Sequence, residues 1–250
     1  MKLKFLGGAA VVALALSVSA LVCKAGDRPY GVVELFTSQG CNSCPPADAV
    51  LSELSKRGDV VTLGYHVDYW DYLGWRDTLA TAENTARQHE YRKSFDARSV
   101  YTPQAVVNGR LHVNGAKRHE VESALMSLNS DGQGLVVDVE IEKRGDSVLI
   151  SAGPGGSGQT AHVMIVYYDH ATSVEIGKGE NGGQQIRYVN PVTGVQAAGM
   201  WHGSEATFEL PASEIAKKGP GGCAVLLQAV GIDGAPGAIL GAATLANGAT

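Results

Sequence analysis

Two architectures in series are expected along this chain: an α/β domain, a mixed sheet with flanking helices, over residues 26–129, and an all-β sandwich over residues 135–250. Three observations lead there. Residues 30–129 alternate short apolar runs with segments of helical period, which suits a sheet with helices on its faces. Residues 130–134, Ser-Asp-Gly-Gln-Gly, read as a linker. Beyond them come short apolar runs punctuated by Gly, Pro, Asn and Asp, with almost no helix signal.

Residues 1–25 read as an export signal. Lys2 and Lys4 give a basic start, Phe5 to Val22 is apolar, and Cys23-Lys24-Ala25 offers a small-x-small cleavage site, with Val18-Ser19-Ala20 as a second. The apolar run reaches only the lower edge of a membrane span, so a transmembrane anchor is the alternative. Cys23 lacks the usual small residue before it for a lipoprotein. A periplasmic or secreted location follows, without stable membrane insertion after cleavage. The formal charge is −5, and a mildly acidic chain without basic runs does not suit nucleic acid.

In the first half, Val32–Phe36 reads as a buried strand, Ala47–Lys56 as a helix with Ala47, Val50, Leu51 and Leu54 on one face, and Val60–Tyr65 as a second strand. An aromatic loop, His66–Asp77, precedes a helix over Leu79–Phe95. Gln104–Val107 and Leu111–Val113 pair through an Asn108-Gly109 hairpin turn, and Arg118–Leu128 is a closing helix. In the second half, Leu135–Glu142, Ser147–Ala152, His162–Tyr168, Gln185–Val189, Ala206–Leu210, Ala224–Val230 and Ala238–Thr244 read as strands. Gly179-Glu180-Asn181-Gly182-Gly183 lacks the Lys and Ser/Thr of a phosphate-binding loop and reads as a hairpin tip.

The chemistry concentrates at Cys41-Asn42-Ser43-Cys44. Strand, turn, C-x-x-C and helix follow in the order of a thioredoxin-type redox site, which predicts a thioredoxin-like first domain. Spacing i,i+3 brings two thiols within disulfide reach. Cys41, expected at the exposed edge before the helix, is the attacking thiol; Cys44, more buried, resolves the mixed disulfide. Pro45 and Pro46 lack N–H groups and belong in the first helical turn, where donors are spare. They also bias Cys44 and Pro45 away from the α region.

Thr102-Pro103, just before a strand, is expected to be cis and to position an extended client chain against the dithiol. Tyr69, Trp70, Tyr72 and Trp75 crowd the aromatic loop. Trp70 and Trp75 are candidates to grip a client protein, against the plainer reading that the loop packs between domains. His66 reads as a hydrogen-bonded strand-end histidine, with a proton donor or acceptor near the dithiol as the alternative. No second C-x-x-C completes a zinc site, and no cofactor or metal is expected. Cys223 opens an apolar run and reads as a buried strand residue, with a third redox thiol as the alternative.

Four stretches together resemble one family: Val33-Glu34-Leu35-Phe36-Thr37-Ser38-Gln39-Gly40-Cys41 with Cys44-Pro45-Pro46-Ala47-Asp48; His66-Val67-Asp68-Tyr69-Trp70-Asp71-Tyr72-Leu73-Gly74-Trp75; Arg87-Gln88 with Tyr101-Thr102-Pro103-Gln104; and Gly177, Gly179-Glu180-Asn181 and Gly183. The chain is similar here to the secreted, thioredoxin-like domain of unknown function number 1223. The resemblance implies a thioredoxin-like domain followed by a β-sandwich, and supplies no substrate. Gly40 stands where ordinary thioredoxins have tryptophan, and Asn42-Ser43 replaces Gly-Pro. The expected function is an exported thiol–disulfide oxidoreductase acting on a protein or small-molecule thiol or disulfide client. The alternatives are a non-catalytic binding module with a structural disulfide, and a copper(I) metallochaperone using Cys41, Cys44 and His66.

Overall fold

The computed structural model describes residues 28–247, so the expected export signal, with Cys23, lies outside the described residues. Thirteen strands are present: β1 Gly31–Thr37, β2 Val60–His66, β3 Gln104–Val107, β4 Leu111–Asn114, β5 Val139–Arg144, β6 Ser147–Ala152, β7 Ala161–Tyr168, β8 Thr172–Glu175, β9 Gln185–Tyr188, β10 Val192–Trp201, β11 Ala206–Pro211, β12 Gly222–Val230 and β13 Pro236–Ala246. Four α-helices accompany them: α1 Pro45–Arg57, α2 Ala82–Ser94, α3 Arg118–Ser130 and α4 Ala212–Lys218. None of the described helices is long and apolar enough to cross a membrane.

The first sheet has the order β2-β1-β3-β4, with β1 and β2 parallel and the other pairs antiparallel. The second, β10-β7-β12-β13, is antiparallel throughout. The third is β11-β6-β5 and the fourth is the β8-β9 pair. Period-two alternation decides how they stack. Val33 and Leu35 of β1 face a core shared with Ala47, Leu51 and Leu54 of α1 and Val121 and Leu125 of α3. Val32 and Phe36 face the other way, into a core completed by Val166, Val192, Ala224 and Leu226 of the second sheet. Val225 and Leu227, one residue out of phase, meet Val139, Val148 and Ile150 of the third sheet.

The expected class, a thioredoxin-like α/β domain followed by an all-β sandwich, is overturned. Among the described residues thirteen strands in four sheets stand against four α-helices, so the described structure is predominantly β and no clear thioredoxin-like α/β fold stands out in it. Only the stacking of sheets fits in part. The physical reason is visible on β1, which is buried on both faces. The side that an α/β layer gives to helices is here covered largely by a sheet from the second half of the chain.

A charged cluster spans that junction. Arg87 of α2 pairs with Glu34 of β1 at 2.7 Å, Tyr91 donates its hydroxyl to the same carboxylate, and Gln228 of β12 contacts Arg87 at 3.0 Å and Tyr91 at 2.8 Å. Burying Glu34 fully is tolerable because every charge there is matched.

Local readings held where chemistry is local. The β3–β4 turn puts Asn108 and Gly109 at φ 48° and 61°, the two positive values that a two-residue hairpin of this twist requires. Three elements of the second half were not expected. The short helix α4 has only seven residues, too few for a periodic signal. Strand β8 has only four residues. Strand β10 is rich in Gly and Ala and owes its extension to β7, against which it is twice bulged. The expected strand from Leu135 begins only at Val139.

Candidate functional site

From the end of β1 the chain turns through Ser38-Gln39-Gly40, and the Cys41 amide donates to the Ser38 carbonyl at 3.1 Å. The Cys44 amide then donates to the Cys41 carbonyl at 3.1 Å, and the Cys44 carbonyl accepts from the amides of Ala47 and Asp48. Pro45 and Pro46 fill the first two helical positions, as expected from their missing N–H groups. Cys44 caps the helix with φ −82° and ψ −36°, inside the α region that a following proline disfavours.

Cys41 and Cys44 form a disulfide with a Cα–Cα distance of 5.4 Å. Cys41 does not lie at an exposed edge. It is 1% exposed and Cys44 0%, while Asn42 and Ser43 between them face solvent. The cover comes from the loop joining β8 to β9. Asn181, itself buried, donates its Nδ2 amide to the carbonyls of Gln39 and Cys41, each at 2.9 Å. The loop holds its shape through Gly183 N–H to the Ile176 carbonyl at 2.7 Å and Gly182 N–H to the Gly179 carbonyl at 3.1 Å. Gly179 sits at φ +79°, a conformation glycine adopts without the Cβ penalty.

The aromatic loop packs against the same turn and against the glycine loop. Trp75 donates its indole N–H to Gln39 Oε1 at 2.9 Å and lies against the glycine loop. A Cβ on Gly177 would meet its ring at 3.0 Å. Trp70 donates to Thr102 Oγ1 at 2.8 Å, and its backbone approaches Gly40 so closely that a Cβ there would lie 3.1 Å from Trp70 Cβ. That approach explains glycine at position 40. The Thr102–Pro103 peptide is cis, as expected, and Pro103 is buried at the entry to β3. Tyr72 stacks on Trp70 and is 77% exposed, leaving an aromatic surface beside the site.

A buried polar floor adjoins the turn that carries the disulfide. His66 Nδ1 meets Asp77 Oδ2 at 2.8 Å, and that oxygen also accepts the Gln39 amide at 2.8 Å. Burial raises the Asp77 carboxyl, but the His66 ring and the amides of Gln39 and Leu79 outweigh it and hold it below the usual carboxylate range. The His66 ring packs edge-on to Tyr188 with centroids 4.6 Å apart. With Nδ1 committed to Asp77, His66 is a hydrogen-bonded strand-end residue. Among the described residues no group of three or more His, Cys, Asp or Glu is arranged to hold a metal ion.

Asp48, in the first turn of α1, is fully buried in this floor. Burial pushes its carboxyl up to about 7, against lowering by His66 and the nearby Thr37 hydroxyl and with a smaller rise from Asp77. Asp48 Oδ2, Thr37 Oγ1 and the Tyr188 hydroxyl are buried without a hydrogen bond of acceptable geometry among the described residues. Cys223 is remote from the site, in the core between the second and third sheets, where burial pushes its thiol up to about 12.

The six residues singled out in the sequence thus surround one turn: Cys41 and Cys44 within it, Trp70 bridging it to Thr102-Pro103, and Trp75 joining Gln39 to the glycine loop. Sequence reasoning missed Asn181 and Asp48 as site residues. The first lies in a stretch read as a hairpin tip, which it is. The second lies in the C-x-x-C signature itself, where a carboxylate on the apolar face of a helix was the available signal.

A family model described as "Protein of unknown function (DUF1223)" matches residues 32–228. No curated protein matches the chain. Among solved structures, a crystal structure of a protein from Agrobacterium tumefaciens is similar at 46% identity and a TM-score of 0.83, over 90% of this chain and 98% of that one. HBP35 of Porphyromonas gingivalis resembles it in fold alone, at 12% identity and a TM-score of 0.57, over 89% of this chain and 76% of that one.

Proposed function

The chain belongs to this family of unknown function, and we propose that it is an exported thiol–disulfide oxidoreductase working through Cys41 and Cys44. The observation that carries the proposal is the disulfide at the head of α1, between a capping cysteine and an N-terminal turn. The helix start favours a thiolate there. Export to the periplasm or beyond is supported by the basic-then-apolar composition of residues 1–25.

In the oxidising direction a client thiolate attacks Cys41 Sγ and breaks the Cys41–Cys44 bond. A mixed disulfide forms on Cys41, and Cys44 leaves as a thiolate that takes up a proton. A second client thiolate then attacks the client sulfur and releases the Cys41 thiolate. The client loses two electrons and the cysteine pair gains them; the reverse sequence reduces a client disulfide. Trp70, exposed Tyr72 and Thr102-Pro103 offer an aromatic and extended-backbone surface for the client. Trp75 contributes by holding Gln39 and the glycine loop.

The test is mixed-disulfide trapping. A Cys44→Ala variant presented with glutathione disulfide or the disulfide form of a cysteine peptide is expected to accumulate a mixed disulfide on Cys41, one client half leaving as a thiolate. A reduction potential below about −300 mV, the range of structural bonds, together with no trapped species would overturn the assignment.

A second reading has one observation in its favour, the near-complete burial of Cys41. In it the protein is a binding module and the disulfide braces the turn under the aromatic loop. Partner binding unchanged in Cys41→Ser supports that reading; its loss opposes it.

A further inference from the structure

We propose that a cleft between the end of α2, the β3–β4 turn and the β12–β13 loop binds a short peptide with free termini, whose carboxylate is held by Arg110. The site is separate from the cysteine pair and does not depend on its chemistry. The cleft measures about 920 Å³ and is lined by Lys93 and Phe95 at the end of α2, Arg110 in the turn, Gln133 beyond α3, and Pro236 and Gly237 at the start of β13. Ligand sites of roughly 300–1,000 Å³ favour such junctions between separately built parts of a chain. Hydrogen bonds fix the walls. Ser94 Oγ donates to the Pro236 carbonyl at 2.7 Å, and the Ile239 amide donates to the Asn108 carbonyl at 2.8 Å.

The observation that singles out this cleft is the state of Arg110. Its Nε is buried without a hydrogen-bond partner among the described residues. Burial lowers its titration, and no described carboxylate acts on the guanidinium to restore it. The other described arginines that are partly shielded from water are matched, Arg87 by Glu34 at 2.7 Å and Arg92 by the Ala97 carbonyl at 3.4 Å. Shielded charges are ordinarily paired. A half-buried guanidinium with no acid beside it, on the wall of a cleft, is suited to an anion that arrives from outside. Its planar fork of donors matches a carboxylate in two parallel hydrogen bonds.

The rest of the wall decides which anion. Lys93 is neutralised by Glu90 at 2.7 Å. Asp96, exposed, lines the same cleft, and the β12–β13 loop carries Asp233 in its sequence. One unmatched cation among acids opposes a phosphate, whose charge of about −1.5 to −2 near neutral pH exceeds what Arg110 balances. It suits a zwitterion, with the carboxylate on Arg110 and the ammonium toward Asp96. The volume has room for a few residues, and Phe95 and Pro236 offer apolar surface to their side chains.

Calorimetric titration of the purified protein at low salt tests this, with trialanine, its C-terminal amide, its N-acetyl form and inorganic phosphate as probes. Trialanine is expected to bind. Blocking its carboxylate as the amide is expected to weaken binding by at least about tenfold, the worth of a charge-assisted hydrogen bond. N-acetylation is expected to weaken it by a smaller factor, and phosphate to bind no better than the amide. Arg110→Gln is expected to lose the preference for the free carboxylate. The same variant is expected to unfold at a urea concentration equal to that of the wild type or higher, because its guanidinium has no internal partner to lose. No binding of trialanine, equal binding of the acid and the amide, or a destabilised Arg110→Gln variant would each overturn the proposal. Phosphate binding more tightly than trialanine would overturn the peptide as the ligand class.

Discussion

Asn181 and Cys41 stand 140 residues apart in the chain and are joined by a 2.9 Å hydrogen bond from the amide Nδ2 to the carbonyl oxygen. The same amide holds Gln39, so one side chain from the β8–β9 loop pins the turn that carries the disulfide. Cys41 itself is 1% exposed, so under the proposed function access to its sulfur requires the cover to move.

Replacing Asn181 with Ala is therefore expected to speed reduction of the disulfide. Two hydrogen bonds worth about 1 kcal/mol each hold the loop down, so their loss raises the open population roughly tenfold or more. The rate of thiol release under a phosphine reductant measures this. Equal rates in variant and wild type would show that the loop does not control access.

Asp48 makes stability depend on pH with a definite sign. Its folded value of about 7 stands above the ordinary 3.8, so the native state holds a proton that the unfolded chain has lost. The contribution is full below the unfolded value and disappears as pH rises through the folded one. At about 1.4 kcal/mol per unit over some three units, ionising it costs up to ~4 kcal/mol. Asp48→Asn is expected to be more stable than the wild type at pH 8 by a few kcal/mol, with the gain shrinking toward pH 4. Asp77, whose carboxyl is held low, acts in the opposite direction in both proteins, so the difference between them isolates Asp48. Urea unfolding at the two pH values reads it.

Removing the cation at position 87 should reveal how much the junction between the first two sheets depends on matched charge. Arg87→Met leaves Glu34 buried and unpaired, which costs ~3–5 kcal/mol. Adding Glu34→Gln should recover part of that loss. Denaturant midpoints of the two single variants and the double variant supply the coupling; strictly additive effects would mean the pair does not act as a unit.

Cys223 is expected to be inert in the folded protein. Its thiol is fully buried and pushed up to about 12, so little thiolate exists at neutral pH. Iodoacetamide should label the Cys223 peptide only after unfolding, as mass mapping would show. Labelling under native conditions would return Cys223 to the list of redox thiols.

Local chemistry made part of this legible in advance. Pro45-Pro46 marked the start of α1, Asn108-Gly109 marked the β3–β4 hairpin, and the spacing of Cys41 and Cys44 marked a closable disulfide, because each depends on neighbours within four residues. The apolar run of Val32, Val33, Leu35 and Phe36 announced a buried strand. It did not say that one face is covered largely by another sheet, and the expected α/β class failed on that point.

By itself the sequence determined where the thiols lie, how the helix beside them begins, and many of the short runs that become strands, since backbone stereochemistry and side-chain period act over a few residues. Tertiary structure alone decided that the disulfide is covered, that Asn181 covers it, and that Asp48, His66, Asp77 and Tyr188 share one buried floor. Those groups come from α1, β2, the aromatic loop and β9. They meet because burying both faces of β1 and β2 draws distant segments together, and a periodicity read along one segment says nothing about which distant one will fill its far side.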